Sequence, residues 1–183
     1  MLINSSDSFL LVIDVQDRLA AHIHDMQQVS ANITRLVKCS RALQIPILCT
    51  EHCAEKIGHT TAQLMSHIDV DSIVKKTHFS ACMEPEIADR FAGLNRKQVI
   101  ITGVETHVCV LQTTLSLKQS GYQPFLVADG TSSRKLTERQ LAIARMQQNA
   151  VDVVSTEMVV FEWLQRADTD SFSELLPLIK DSG

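Results

Sequence analysis

Phe9-Leu10-Leu11-Val12-Ile13-Asp14 sets five consecutive apolar residues against a single carboxylate. A run this short, with no polar alternation, suits a strand covered on both faces, as in a parallel sheet. A carboxylate at its end is costly unless it faces a polar cleft or a partner. Outward from this stretch, short apolar runs alternate with helical patterns. Residues 27–43 place Val29, Ile33, Leu36, Val37 and Ala42 near one helical stripe. Residues 45–50 read as a second strand, with Pro46 near its start, where a missing donor is tolerated. Residues 73–75 form a short third strand, and Pro85 opens a helix over 84–92. The β-branched run 99–102 is a fourth strand, followed by a helix over 106–120 that Gly121 stops. A fifth strand covers 122–128 and ends at Asp129-Gly130, and a sixth covers 151–155. Helices are predicted over 137–149, 157–165 and 171–180.

This alternation predicts an open parallel sheet with helices on both faces. In such sheets the site lies beyond the carboxyl ends of the strands, where strand order reverses. The 183 residues suit one domain, 1–183, with no linker or repeat. A hydrophobic content of 45% with 21% charged residues excludes a disordered chain. The net charge of -4 offers no footprint for nucleic acid. No apolar run approaches a membrane span. Residues 1–8 lack the basic-then-apolar pattern of a secretory signal, and the five cysteines show no framework spacing. A reducing cytoplasm is the expected setting.

Three strand-end residues carry chemistry. Cys109 falls in the first turn of the helix after strand four, where the helix dipole favours thiolate and free N–H groups can face an oxyanion. The plainer reading is a small buried core residue. Asp14 reads as a base beside a thiol or as a turn cap. Lys76 reads as a cation that stabilises a thiolate or as a surface lysine, and Lys75 competes with it.

Taken together, Val12-Ile13-Asp14-Val15-Gln16, Lys76-Thr77-His78-Phe79-Ser80-Ala81 and Gly103-Val104-Glu105-Thr106-His107-Val108-Cys109 resemble the isochorismatase-like cysteine hydrolases. That superfamily includes nicotinamidases and carbamoylsarcosine amidohydrolases. The likeness runs from about Leu10 to Trp163. It leans toward the isochorismatase domain-containing branch through Thr50-Glu51-His52, Asp129-Gly130-Thr131-Ser132-Ser133-Arg134 and Ala144-Arg145-Met146-Gln147-Gln148. The resemblance implies a three-layer α/β/α fold with a doubly wound, mostly parallel six-stranded sheet. It implies Cys109 as nucleophile, Asp14 as base and later acid, and Lys76 as orienter, because Lys76 stands four residues before Ser80. It also implies a cis peptide between Val104 and Glu105, and an oxyanion hole from the N–H groups of Glu105 and Cys109. Homo-oligomers are common in this superfamily, and residues 158–164 and 172–179 read as an interface or as the close of the core.

Two departures narrow the substrate. True isochorismatases characteristically lack the cysteine. The Asp-x-His metal pattern of nicotinamidases is replaced by adjacent Glu51 and His52. No metal or cofactor is therefore expected, and Glu51 and His52 read as hydrogen-bonding members of the pocket wall. Gln16 reads as support for Asp14 or as a loop cap, Phe79 as pocket lining or core, and His107 as a residue at the helix mouth. The expected activity is hydrolysis of a small amide or related carbonyl compound. A catalytically quiet oligomeric scaffold and a reactive-thiol sensor are the alternatives.

Overall fold

The computed structural model describes residues 1–180. Six strands form one sheet: β1 (Ser8–Ile13), β2 (Ile47–His52), β3 (Ile73–Lys76), β4 (Gln98–Val104), β5 (Gln123–Ser132) and β6 (Asp152–Val154). Their order is β3-β2-β1-β4-β5-β6, and every pairing is parallel. The chain runs outward from β1 in one direction and then returns to lay β4 on its other side. The reversal point therefore lies between β1 and β4.

Nine helices cover the sheet among the described residues: α1 (Asp17–Ala20), α2 (Met26–Ala42), α3 (Ala54–Ile57), α4 (Ala62–Met65), α5 (Pro85–Gly93), α6 (Leu111–Gln119), α7 (Leu136–Gln148), α8 (Thr156–Leu164) and α9 (Asp170–Lys180). Alternate residues of a strand face opposite sides, and β1 divides accordingly. Leu10 and Val12 pack with α2, α8 and α9 through Ile33, Leu36, Val159, Trp163 and Ile179. Phe9, Leu11 and Ile13 pack with α5, α6 and α7 through Ile87, Phe91, Leu117 and Met146. Each of the five apolar β1 residues is wholly buried, which contributes about 1.5–3 kcal/mol per side chain.

Two local features differ from the sequence expectation, and a third decides between two readings it left open. The helix over 106–120 opens with a π-helical turn, Thr106–Val110, before α6 begins. Its mark is the Val110 N–H bonding to the Glu105 carbonyl at 3.3 Å, five residues back. Strand β5 does not stop at Asp129-Gly130 but continues to Ser132 through an irregularity. Two steps along β4, from Ile101 to Gly103, match five along β5, from Leu126 to Thr131. The apolar segments 158–164 and 172–179 mainly close the core. Val159, Val160, Trp163, Leu164, Leu175 and Ile179 are buried there, while Met158 and Phe161 stay exposed.

Candidate active site

The reversal point brings Asp14, Lys76 and Cys109 together from three separate segments. Asp14 follows β1 in a left-handed conformation, with φ of 51°. Its N–H bonds to the Thr50 carbonyl at 3.1 Å, and the Thr50 hydroxyl donates to Asp14 Oδ1 at 2.7 Å. Asp14 Oδ2 lies 2.7 Å from Lys76 Nζ, and neither side chain is exposed. The Cys109 thiol, on the buried side of the π-turn, lies close enough to both groups for each to act on its ionisation.

The lysine's surroundings account for its burial. An ammonium has three protons to place. Lys76 donates to the His78 carbonyl at 3.1 Å and to the Phe79 carbonyl at 3.3 Å, and its charge is paired with Asp14 Oδ2. His52 Nδ1 stands 3.5 Å away. Strand alternation turns Lys75 to solvent and Lys76 inward, so Lys76 is the lysine that meets Asp14.

Gly103 makes the approach of β4 to β1 possible. Its φ is +112°, and an added Cβ would fall 2.1 Å from the Ile13 carbonyl oxygen. Beyond it, the peptide between Val104 and Glu105 is cis. The turn that follows is fastened to β5. The Thr106 hydroxyl donates to Thr131 Oγ1 at 3.0 Å, and Thr131 donates to the Gly103 carbonyl at 2.7 Å.

The thiol departs from the sequence expectation of a favoured thiolate. Burial first, and then the Asp14 carboxylate, push Cys109 up to about 12, and the Lys76 ammonium only partly opposes them. A buried thiol beside a carboxylate loses more from desolvation than a helix terminus returns. The resting group is a thiol next to a carboxylate.

The remaining residues singled out in the sequence divide by position. Gln16 caps a loop and does not support Asp14. Its amide donates to the His52 and Gly58 carbonyls, and its oxygen accepts the His52 N–H at 2.8 Å. Glu51 is buried and committed to the next loop, accepting from the Thr60 N–H at 2.7 Å, the Thr60 hydroxyl at 2.9 Å and His59 Nδ1 at 3.0 Å. Burial works to raise its carboxyl, but the hydrogen bonds from Thr60 and His59 prevail and lower it. His52 is half-buried and carries the Phe79 ring stacked on it at 5.4 Å. Burial and then the Lys76 charge lower its imidazole, so it is neutral near pH 7. Phe79 is 51% exposed, which removes it from the core. His107 bonds Ser133 Oγ through Nδ1 at 2.9 Å. With Arg134, Lys135 and Glu138 it lines a cavity of about 200 Å³ beside the π-turn. Arg134 in turn pairs with the Glu105 carboxylate at 3.0 Å.

Sequence reading did not single out Glu84, Ser133 or the fastening role of Thr131. Glu84 Oε1 gathers four donors from Thr77 and His78. Its place just before Pro85 signals a helix start and nothing more.

A parallel sheet covered by helices on both faces, with a thiol, a carboxylate and an ammonium buried near its reversal point, defines a doubly wound α/β protein. An isochorismatase domain model matches residues 8–158. Isochorismatase family protein 1A of Dictyostelium discoideum is 30% identical over 184 residues, covering 98% of this chain and 89% of that protein. Isochorismatase domain-containing protein 2A of Mus musculus is 32% identical, covering 95% of this chain and 83% of that protein. The solved structure of MAR1 ribonuclease from Caenorhabditis elegans superposes with a TM-score of 0.93 at 32% identity, covering 98% of this chain and 93% of that one. The chain belongs to the isochorismatase family.

Proposed function

We propose that this protein is a metal-independent cysteine hydrolase acting on a small amide or related carbonyl compound. The observation that carries the reading is the buried contact of the Cys109 thiol with Asp14 and Lys76. Asp14 takes the thiol proton as the sulfur attacks the carbonyl carbon, forming a C–S bond. The N–H groups of Glu105 and Cys109 hold the oxyanion. Asp14 returns the proton to the leaving nitrogen as the C–N bond breaks, releasing an amine or ammonia and leaving a thioester. Water, activated by Asp14, attacks the thioester carbon. The acid departs and the thiol regains its proton. Lys76 keeps its charge beside the carboxylate throughout, and the stacked His52 and Phe79 form one wall of the entrance.

The Caenorhabditis elegans neighbour is described as a ribonuclease. For this chain a thiol nucleophile and a net charge of -4 favour a carbonyl substrate over a phosphodiester. The whole chain, 1–183, acts as one domain, with two apolar clusters flanking one sheet. Five free cysteines suit a reducing cytoplasm. The exposed Met158 and Phe161 supply an apolar patch for pairing with a second copy.

The test is a library of small amides, imides and ureides screened for ammonia release, with an RNA digest alongside. Saturable turnover lost in Cys109→Ala and Asp14→Asn is the expected result. RNA cleavage that persists in Cys109→Ala, with no amide turned over, would overturn the reading.

A further inference from the structure

Lys76 holds its place through a loop that it does not itself fix. Residues 77–80 follow β3 without regular structure, yet the carbonyls of His78 and Phe79 both aim at the Lys76 ammonium. Glu84 shapes this loop. Its residue precedes Pro85, whose ring nitrogen has no proton, and its side chain makes no cap to α5. Instead Oε1 accepts the Thr77 N–H at 2.7 Å, the Thr77 hydroxyl at 3.1 Å, the His78 N–H at 3.0 Å and His78 Nδ1 at 2.8 Å. Each carbonyl that meets the lysine lies within two residues of these donors.

We infer that Glu84 is the positioning residue for Lys76: one carboxylate oxygen holds the 77–80 loop so that two backbone carbonyls secure the ammonium against Asp14. The inference rests on the proposed role of the Cys109 site. Glu84 touches none of the reacting groups and acts entirely through the loop. Hydrogen bonds from the His78 and Thr77 backbone, with the His78 side chain, hold its carboxyl down at about 2, so it is an anion at every working pH. The same loop holds the Phe79 ring on His52, so one carboxylate sets both the lysine and a wall of the entrance.

The test reads the thiol and needs no substrate. Asp14 and Lys76 are the charged groups that act on Cys109. Iodoacetamide alkylation of Cys109, localised by mass spectrometry, is followed against pH in the parent, Glu84→Ala, Glu84→Gln, Asp14→Asn and an exposed control, Glu86→Ala. Circular dichroism checks the fold of each. With the loop released, the ammonium drifts from the thiol, and the alkylation profile of Glu84→Ala moves to higher pH. A move of about one pH unit is a tenfold slower reaction at fixed pH. Glu84→Gln keeps an acceptor oxygen and falls between. Folded Glu84→Ala or Glu84→Gln proteins that all keep the parental profile overturn the inference, as does an equal shift in Glu86→Ala. A profile moved by Asp14→Asn alone removes only the role of Glu84. A profile that neither Asp14→Asn nor Glu84→Ala moves removes the reading of the site itself.

Discussion

Lys76 Nζ lies 2.7 Å from Asp14 Oδ2 with both side chains wholly buried, so each charge is the other's principal compensation. Removing one partner of a buried pair strands the other charge and costs about 3–5 kcal/mol. Lys76→Met and Asp14→Asn should each lower stability by an amount of that order. The double variant should lose clearly less than the sum, because no charge is stranded. Urea denaturation of the four proteins measures the coupling, and simple additivity would contradict it.

The same pair predicts opposite effects on the thiol. Asp14 raises Cys109 and Lys76 lowers it. Asp14→Asn should therefore bring Cys109 alkylation to lower pH even as it abolishes turnover. Lys76→Met should move alkylation to higher pH. Iodoacetamide labelling with peptide mapping checks the signs, and shifts in the same direction would refute the electrostatic account.

Cys39, Cys49, Cys82 and Cys109 are all raised from the ordinary value of 9.0, Cys39 and Cys82 to about 11 and Cys49 and Cys109 to about 12, with burial the leading cause. Between the ordinary and the folded values the native state binds more protons than the unfolded one, so stability falls as pH rises. The contribution is intact below pH 9 and is lost progressively up to about 12. The urea midpoint should be level on the acid side of this window and decline within it. A midpoint that stays level through pH 11 would exclude these thiols as the source.

Gly103→Ala places a methyl group 2.1 Å from the Ile13 carbonyl oxygen at a φ of +112°. Neither strand can yield without parting β1 from β4. The cost should exceed about 4 kcal/mol, and the variant should be recovered mainly as insoluble protein. A soluble variant with the parental thermal midpoint would show that the strand end relaxes freely.

Strand positions and the order of alternation were legible because buried parallel strands are written as short apolar runs, β1 most plainly of all. The juxtaposition of residues 14, 76 and 109 was legible too, since strand ends at a reversal point converge whatever their side chains. The choice between Lys75 and Lys76 was not open to pattern alone. A strand of four residues carries too little alternation to show which side is inward, and only the matched spacing to Ser80 distinguished them. Gln16 had two readings because a side-chain amide can serve either neighbour, and the position of Gly58 across space decided between them. Glu84 and Thr131 left no trace, because each acts by reaching a segment that sequence spacing does not relate to it. The state of Cys109 was misjudged for a similar reason. A helix start can be read from residues, but the depth at which the thiol is buried comes from everything packed over it.

Strand β1 is paired on both edges, by β2 and by β4. Synthesis delivers β2 soon after β1, but β4 emerges only as the chain passes residue 104. Until then a strand with five successive apolar residues has one bare edge, and newly made chain of this kind invites pairing with the wrong partner. Cys109 is delivered a few residues after the strand that closes that edge. A nascent chain thus has no thiol at this site while the β1 edge is bare, and chaperone protection of that edge would matter most over the interval between residues 52 and 98.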